Sequence, residues 1–529
     1  MLHSGEATAQ AGPRDHSPRL MRAARAIRPA RALRPVSLVG MAALLLSPGL
    51  WLGPGFDGAV YTLAGVVIRG GHMPYADLFD NKPPGIYLLN AAGQVVMPWF
   101  DPWVVSWILT FLFTAATVLV VDRLLRQRMS PVASFLMSLL CVTGIASHPI
   151  ALGGGLTESF AILPLVVALW AVSAPTPTQN RRTAASVGCL SSLACLFSVQ
   201  ALPVAAILVL AAMLVGAGPK EAARRAVAAL GAGVVVPLAV AGWLVSRGAL
   251  GDAIDQVLIY NVSYRAASAG FGYVLPAAGL ILGCLAIPIA ISVVRMARDP
   301  RAFSRVLWLC LAWIVAEVAI LGYENRLFLH YLILLVPPAV IVSGPGFEWL
   351  AVTVRSPNRG PRNLAILLTA VAGCAFAVSG VTVAGLAAIT MDSAGKAEAV
   401  TQDTSGWIKS HTPASATVFL WGNDTYIYLV AERGSYDRHV YQFPMVTAGY
   451  WSTDRTAAIL AAWSSSPPAV IVETPGTVAM FRPQPDPAAP PNYDTLAPLR
   501  DFVRAHYRLE ATFGDGGDIE DIYVLLPTG

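Results

Sequence analysis

Long apolar runs alternate with short polar segments over roughly the first three quarters of the chain. A helix needs about 20 predominantly apolar residues to cross the hydrocarbon core of a bilayer. Eleven runs approach that length, and they predict eleven membrane-spanning helices. These spans are predicted at residues 37–53, 103–121, 130–147, 158–174, 184–199, 201–217, 226–246, 271–294, 306–321, 331–350 and 364–388.

A twelfth apolar segment, residues 85–98, is too short to span. Fourteen helical residues reach only about 20 Å, whereas the hydrocarbon core is roughly 30 Å thick. We interpret this segment as a helix in the outer interface. The first outer loop is then residues 54–102, with a second short helix at residues 59–68.

The distribution of basic residues supports this topology, because lysine and arginine collect in cytoplasmic loops. Before residue 390, 22 basic residues fall on the cytoplasmic side and five on the outer side. Seven of the 22 are arginines of residues 1–36, which we interpret as a retained basic tail. We therefore predict an integral plasma-membrane protein with a cytoplasmic N-terminus and an extracytoplasmic C-terminus.

The composition agrees with a polytopic membrane protein. Of the 529 residues, 55% are hydrophobic and only 13% are charged, which is more apolar sequence than one soluble core would bury. The net charge of +5 follows from the cytoplasmic arginines, so we expect no nucleic-acid partner. All six cysteines lie in predicted spans, and the exported region therefore has no disulfide.

A different pattern begins after the last span, so the chain divides into a tail (1–36), a membrane domain (37–390) and an exported domain (392–529). Short apolar strands alternate with amphipathic helices in the exported domain, which predicts a small layered α/β fold. The predicted strands are 417–421, 469–473, 507–513 and 522–526, and the predicted helices end near His411, start near Asn423, and cover 454–463 and 496–506. Five aromatic residues suit either sugar stacking or a core: Trp407, Trp421, Tyr426, Tyr428 and Tyr441.

Candidate chemistry concentrates in three predicted outer loops. The first contains Asp57 and the segment GGHMPYADLFDNKPPGIYLLN, in which Asp80 and Lys82 precede a rigid proline pair. The second, HPIALGGGLTES, places Glu158 at the mouth of a span, and its glycines permit close backbone approach. The third, LGYENRLFLHYL, contributes cationic and hydrogen-bonding groups to the same face: Arg326, His330 and Tyr331.

These motifs resemble the GT-C superfamily of integral membrane glycosyltransferases, in particular the bacterial branch related to protein O-mannosyltransferases and the lipid A aminoarabinose transferase. The resemblance implies sugar transfer at the outer face from a polyprenyl-phosphate-linked donor. It implies that Asp57 is a catalytic base or a metal-linked carboxylate, and that Lys82 lies near the donor phosphate. It also implies that a divalent metal can take part, although Gly58 and Asn81 stand where many relatives have acids.

The chemistry of such a transfer matches the residues available. A base must deprotonate the acceptor hydroxyl, and positive charge must stabilise the departing phosphate. We predict Asp57 and Glu158 as catalytic carboxylates, and a single attack with inversion. The predicted substrate-binding residues are Asp80, Lys82, Arg326, His330 and Tyr331. The acceptor is expected to be a lipid, a glycan or a protein, and membrane lipids surround the spans.

Each assignment has an alternative. Asp57 and Glu158 are also suited to capping the helices that follow them. Lys82 is also suited to reaching the headgroups, and His330 to a purely interfacial place. As a whole, the chain also suits a transporter or flippase of lipid-linked sugars, which would place polar residues near the middle of the membrane, often in two matching halves.

Overall fold

The computed structural model describes residues 33–173, 180–266, 274–324, 328–476, 479–481, 492–515 and 517–526. Helices form nearly all of the part before residue 412. The first ten helices are α1 (Leu33–Leu50), α2 (Phe56–Arg69), α3 (Gly85–Val96), α4 (Pro102–Arg126), α5 (Pro131–Ala146), α6 (His148–Ala151), α7 (Thr157–Ser173), α8 (Arg181–Phe197), α9 (Leu202–Leu214) and α10 (Pro219–Ser246). Of these, α6 is a single turn. After them come α11 (Leu250–Ile254), a π-helical turn (Asp255–Ile259), α12 (Tyr260–Ala266), α13 (Val274–Arg298), α14 (Arg305–Glu324), α15 (Leu332–Thr353) and α16 (Arg359–His411).

Each of the eleven predicted spans overlaps one of these helices. Within the described residues, seven helices are long and apolar enough to cross a membrane: α1, α4, α10, α13, α14, α15 and α16. The other four, α5, α7, α8 and α9, have 13 to 17 residues. The prediction of a polytopic helical membrane protein is confirmed.

The first outer loop contains the two short helices that the sequence predicts. Helix α3 has 12 residues and is therefore about 18 Å long, too short to cross the bilayer. It packs against α2, and its Gln94 side chain donates a hydrogen bond of 3.2 Å to the carbonyl oxygen of Thr62 in that helix. The two helices thus form one packed unit.

The C-terminal region, called the exported domain after its predicted location, is an α/β domain, as predicted. Its five strands are β1 (Thr417–Trp421), β2 (Gly434–Ser435), β3 (Val470–Glu473), β4 (Tyr507–Phe513) and β5 (Glu520–Leu525), in the sheet order β2-β1-β3-β5-β4. Strand β1 pairs parallel with β2 and β3, whereas β5 pairs antiparallel with β3 and β4. The helices are α17 (Tyr426–Ala431), α18 (Phe443–Val446), α19 (Thr453–Ser465) and α20 (Ala497–His506). The two-residue strand β2 and the single turn α18 are too short for a sequence pattern to reveal.

The membrane part and the exported domain are joined by a continuous helix rather than by a flexible linker. Helix α16 runs for 53 residues, about 80 Å, without a break at the predicted boundary of residues 390–392. The same helix contains the last predicted span and ends in the exported domain, where it packs against α17, β4 and β5. A continuous helix is stiffer than a loop, so it restrains the exported domain relative to the membrane.

The first outer loop is also fixed to distant parts of the chain. Gln256, in the π-helical turn, donates 2.7 Å to the carbonyl oxygen of Tyr75 and accepts 3.0 Å from the backbone N–H of Asp80. On the exported domain, the backbone carbonyl oxygen of Arg438 accepts a hydrogen bond from the backbone N–H of Phe79, and the Arg438 side chain forms a 2.7 Å ion pair with Asp252. Residues 75–80 are therefore held between α11, the π-helical turn and the exported domain.

The orientation of the chain gives a first test. In a cysteine-free background, a cysteine at His72, whose side chain is 68% exposed, should react with a membrane-impermeant maleimide in intact cells. Arg126 is the last residue of α4, and its side chain is 48% exposed. A cysteine at this position should react only after the membrane is opened. Labelling of position 126 from outside would contradict the predicted topology.

Candidate functional site

Asp57 lies in the first turn of α2, at the end of the loop that follows α1. The helix cap is Gly55, and no side chain makes a capping hydrogen bond there, so Asp57 is not the cap. Its side chain is 28% exposed. The positive end of a helix favours a negative charge at this place. Asp57 is thus an accessible carboxylate at the start of a buried helix.

A glycine loop brings the second candidate carboxylate to the same place. Gly153, Gly154 and Gly155 all have positive φ, between 77° and 116°, which other residues rarely adopt. A Cβ atom on Gly155 would lie 3.0 Å from the Cα atom of Gly58, so the loop contacts the start of α2 through bare backbone. This confirms the close approach that the sequence predicts.

Glu158 follows that loop, in the first turn of α7. It is 2% exposed, and one of its oxygens accepts a 2.9 Å hydrogen bond from the Thr157 hydroxyl. Unlike Asp57, it is enclosed by protein.

His330 and Tyr331 lie in the tight turn that precedes α15. The Nε2 atom of His330 is 3.9 Å from the nearer Asp57 carboxylate oxygen, too far for a direct hydrogen bond. The imidazole stacks on Phe328 and contacts the edge of Tyr331. Both residues are 7% exposed, so their rings are held in place by packing.

Lys82 lies among negatively charged and phenolic groups. Burial by itself lowers the pKa of a lysine, but the surrounding groups outweigh burial and raise the pKa of Lys82 well above its usual range. Those groups are Tyr331, Asp57, Glu158 and Asp80. The Lys82 ammonium therefore stays protonated and supplies a fixed positive charge.

Tyrosine hydroxyls hold the backbone around this lysine. The Tyr75 hydroxyl donates 2.8 Å to the Lys82 carbonyl oxygen, and the Tyr87 hydroxyl lies 3.1 Å from the same oxygen. Tyr75 has a positive φ of 72° and is fully buried. A strained, buried residue of this kind persists only where its surroundings over-determine it, which indicates a rigid loop.

Asp80 is 4% exposed, and tyrosine hydroxyls occupy both of its carboxylate oxygens. Tyr441 donates 2.8 Å to Oδ1, and Tyr87 donates a short bond to Oδ2. Burial raises the pKa of Asp80, and the hydrogen bonds from the two tyrosines oppose that rise. The sequence predicts a substrate ligand at this position, whereas the geometry commits both oxygens to the protein itself.

A cavity of about 380 Å³ opens beside Lys82 and Tyr331. Its lining also includes Glu324, which belongs to the third predicted outer loop, and polar residues that the sequence did not indicate as site residues: Asn81, Ser198, Gln200, Asn261, Tyr264, Arg265 and Tyr323. Gln200 donates 2.7 Å to the Glu324 carboxylate, and Asn261 donates 2.9 Å to the carbonyl oxygen of Asn81. One feature of the sequence could have indicated Gln200 as a site residue, because it is a polar residue in the break between two apolar runs.

The remaining predicted residue, Arg326, lies outside the described residues. As for a metal, the described residues contain no group of three or more His, Cys, Asp or Glu side chains placed to hold one. His330 Nε2 is 3.9 Å from an Asp57 carboxylate oxygen, and the protonated Lys82 nearby brings a positive charge that opposes a metal cation. These residues do not fit a metal site.

Comparison with solved structures identifies the fold. The chain is similar to ArnT from Cupriavidus metallidurans bound to undecaprenyl phosphate, with 15% identity, a TM-score of 0.59, and coverage of 92% of this chain and 97% of that chain. The apo form of the same protein gives 12% identity, a TM-score of 0.57, and coverage of 93% and 98%. No protein-family model matches the sequence, and no curated protein matches it significantly.

At this identity the likeness shows the fold alone, which is the fold of the ArnT structures. It extends over both the membrane part and the exported domain, because it covers more than nine tenths of each chain. The predicted fold class is therefore confirmed along nearly the whole length.

The charge balance at Lys82 gives a second test. Asp57→Asn removes a nearby negative charge and should lower the pKa of Lys82, so that more of the amine is neutral at pH 9. Each unit by which the pKa falls raises the neutral fraction about tenfold. The rate at which an amine-acylating reagent modifies Lys82, followed by peptide mass spectrometry, should rise accordingly.

Asp77→Asn is the matched control, because Asp77 is an exposed carboxylate in the same loop that is not among the groups acting on Lys82. Equal modification rates in the two variants would contradict the proposed charge balance.

Proposed function

We propose that this protein is a glycosyltransferase that moves a sugar from a polyprenyl-phosphate donor to a lipid, glycan or protein acceptor on the outer face of the membrane. The observation that carries the proposal is that Lys82 and Tyr331, which are far apart in the sequence, line one cavity, with Asp57 and Glu158 close enough to Lys82 to raise its pKa. The GT-C fold supports it. So does the similar ArnT structure, which is described as bound to undecaprenyl phosphate.

On the donor side, Lys82 is the proposed phosphate ligand. Its fixed positive charge attracts a phosphate in the ground state and stabilises the additional charge that develops on the phosphate as the sugar leaves. The Tyr331 hydroxyl also borders the cavity and is a proposed second donor. His330 and Arg326 complete the proposed set of donor ligands.

On the acceptor side, Asp57 is the proposed general base. It accepts the proton of an acceptor hydroxyl while that oxygen bonds to the anomeric carbon and the bond from this carbon to the phosphate oxygen breaks. A single displacement of this kind inverts the anomeric configuration. The partial exposure of Asp57 suits an acceptor that arrives from water while the donor lipid stays in the bilayer.

Glu158 is the second proposed catalytic carboxylate, with a contribution different from that of Asp57. It is enclosed and already accepts a hydrogen bond from Thr157, so it suits charge stabilisation around Lys82 better than proton transfer. Because the described residues around Asp57 do not group into a metal site, each proposed step is assigned to side chains.

The decisive substitution for the acceptor side is Asp57→Asn. It preserves size and helix context but removes the proton acceptor, so turnover should fall by about 10²–10⁴-fold while the protein remains folded. The assay follows sugar transfer from a panel of polyprenyl-phosphate sugars in proteoliposomes, with product analysis for the anomeric configuration.

Asp77→Asn is again the control and should keep the wild-type rate. A folded Asp57→Asn variant that transfers sugar at the wild-type rate would exclude Asp57 as the base, and absence of transfer from the whole panel by the wild-type protein would exclude the proposed donor class.

Lys82→Ala should have a different kinetic signature. A phosphate contact acts in both the ground state and the transition state, so this variant should raise KM for the donor as well as lower kcat. Lys82→Arg, which keeps the charge, should recover part of the donor affinity. A Lys82→Ala variant with unchanged donor KM would remove Lys82 from the donor site.

A further inference from the structure

Tyr441 is a side chain of the exported domain that reaches into the proposed active site. This residue lies between β2 and α18 and is 3% exposed. Its hydroxyl donates to Asp80, which is 361 positions away in the sequence. Its ring stands edge-on to Phe56, with the ring centroids 5.2 Å apart. Both contacts lead directly to the proposed catalytic groups.

The first contact leads to Lys82 through hydrogen bonds. Tyr441 holds Oδ1 of Asp80, and Tyr87 holds Oδ2. The same Tyr87 hydroxyl lies 3.1 Å from the Lys82 carbonyl oxygen, and Asp80 is two residues before Lys82. A shift of Asp80 therefore moves the backbone that presents the lysine.

The second contact leads to Asp57 through packing. Phe56 immediately precedes Asp57 and forms the first residue of α2. Its ring packs edge-to-face against two rings of the exported domain, Tyr441 and Phe443, the latter at 5.4 Å. These edge-to-face contacts fix the direction in which the helix starts.

We propose that Tyr441 is a positioning residue through which the exported domain sets the relative placement of Asp57 and Lys82. The inference rests on the proposed function, and it adds that the membrane domain alone lacks the correct active-site geometry. A displacement of about 1 Å is enough to reduce turnover on the order of 10²-fold. Because the Tyr441 side chain contacts both Asp80 and Phe56, a change at this one residue affects the placement of both Lys82 and Asp57.

The hydrogen bond from Tyr441 also favours the charged form of the Asp80 carboxylate. Its carboxylate is faced by Tyr61 of α2, Tyr87 of α3, Tyr441 of the exported domain, and Tyr75 and Lys82 of its own loop. Burial raises the pKa of Asp80, and loss of the bond from Tyr441 removes one of the interactions that lower it. The pKa of Asp80 then rises further, so the carboxylate takes up a proton at a higher pH.

The test is Tyr441→Phe, which removes the hydroxyl and keeps the ring against Phe56. We expect a fall in kcat on the order of 10-fold to 100-fold. We also expect the acidic limb of the pH–rate profile to move to higher pH, because Asp80 is neutralised earlier as the pH falls. Tyr441→Leu removes the ring as well and should reduce kcat further.

Tyr450→Phe is the matched control. Tyr450 belongs to the same domain and also donates a hydrogen bond to a carboxylate of the membrane part, Asp255, whereas its ring packs against Phe79 and Tyr260. It should leave the pH–rate profile in place. A Tyr441→Phe variant with the kcat and pH–rate profile of Tyr450→Phe would overturn the proposal.

A double-mutant cycle with Asp80→Asn identifies the route of the effect. If Tyr441 acts through the charge of Asp80, the Tyr441→Phe change should reduce kcat less than about twofold in the Asp80→Asn background. Equal effects in both backgrounds would contradict that route. The wild-type rate separates the two hypotheses: a wild-type protein without transfer activity contradicts the proposed function, whereas an active wild type with an unaffected Tyr441→Phe variant contradicts only this inference.

Discussion

Holding a lysine and several carboxylates together at a membrane boundary is the physical constraint on which the rest of this structure depends. Charged groups removed from water are costly unless partners compensate them. Lys82 is compensated by the acidic groups around it, and Asp80 by two tyrosine hydroxyls. Because removal of one partner would leave the other uncompensated, the loop tolerates few alternative conformations.

The packing around the loop follows from that requirement. Buried backbone groups of the loop need hydrogen-bond partners, and Gln256 supplies them for Tyr75 and Asp80 at once. The exported domain supplies Tyr441, and the 53-residue helix α16 restrains that domain without a flexible joint. The fold thus presents Lys82 on a rigid support, which is what electrostatic stabilisation of a departing phosphate requires.

The two candidate carboxylates illustrate how environment separates chemically identical groups. Asp57 is partly exposed at the start of α2, with His330 at 3.9 Å, and suits proton transfer with an acceptor from water. Glu158 is enclosed at the start of α7. It follows a glycine loop whose close contacts leave no room for the Cβ atom of another residue. The backbone approach between Gly155 and Gly58 brings the two helix starts together, and so a steric property of glycine determines the layout of the site.

The sequence by itself determined the features that depend on local pattern. Long apolar runs predicted the spanning helices, and short apolar segments between amphipathic helices predicted β1, β3, β4 and β5. Both patterns arise because burial of apolar surface leaves a periodic signature in the chain. The Asp57, Lys82 and Glu158 motifs were visible for a similar reason, since charged residues stand out beside apolar runs. Only the tertiary structure decided that Gly55 rather than Asp57 caps α2, that α16 continues into the exported domain, and that Tyr441 and Gln256 contact Asp80. Those contacts join residues up to 361 positions apart, and a buried tyrosine has the same sequence signature whether it fills a core or holds a carboxylate.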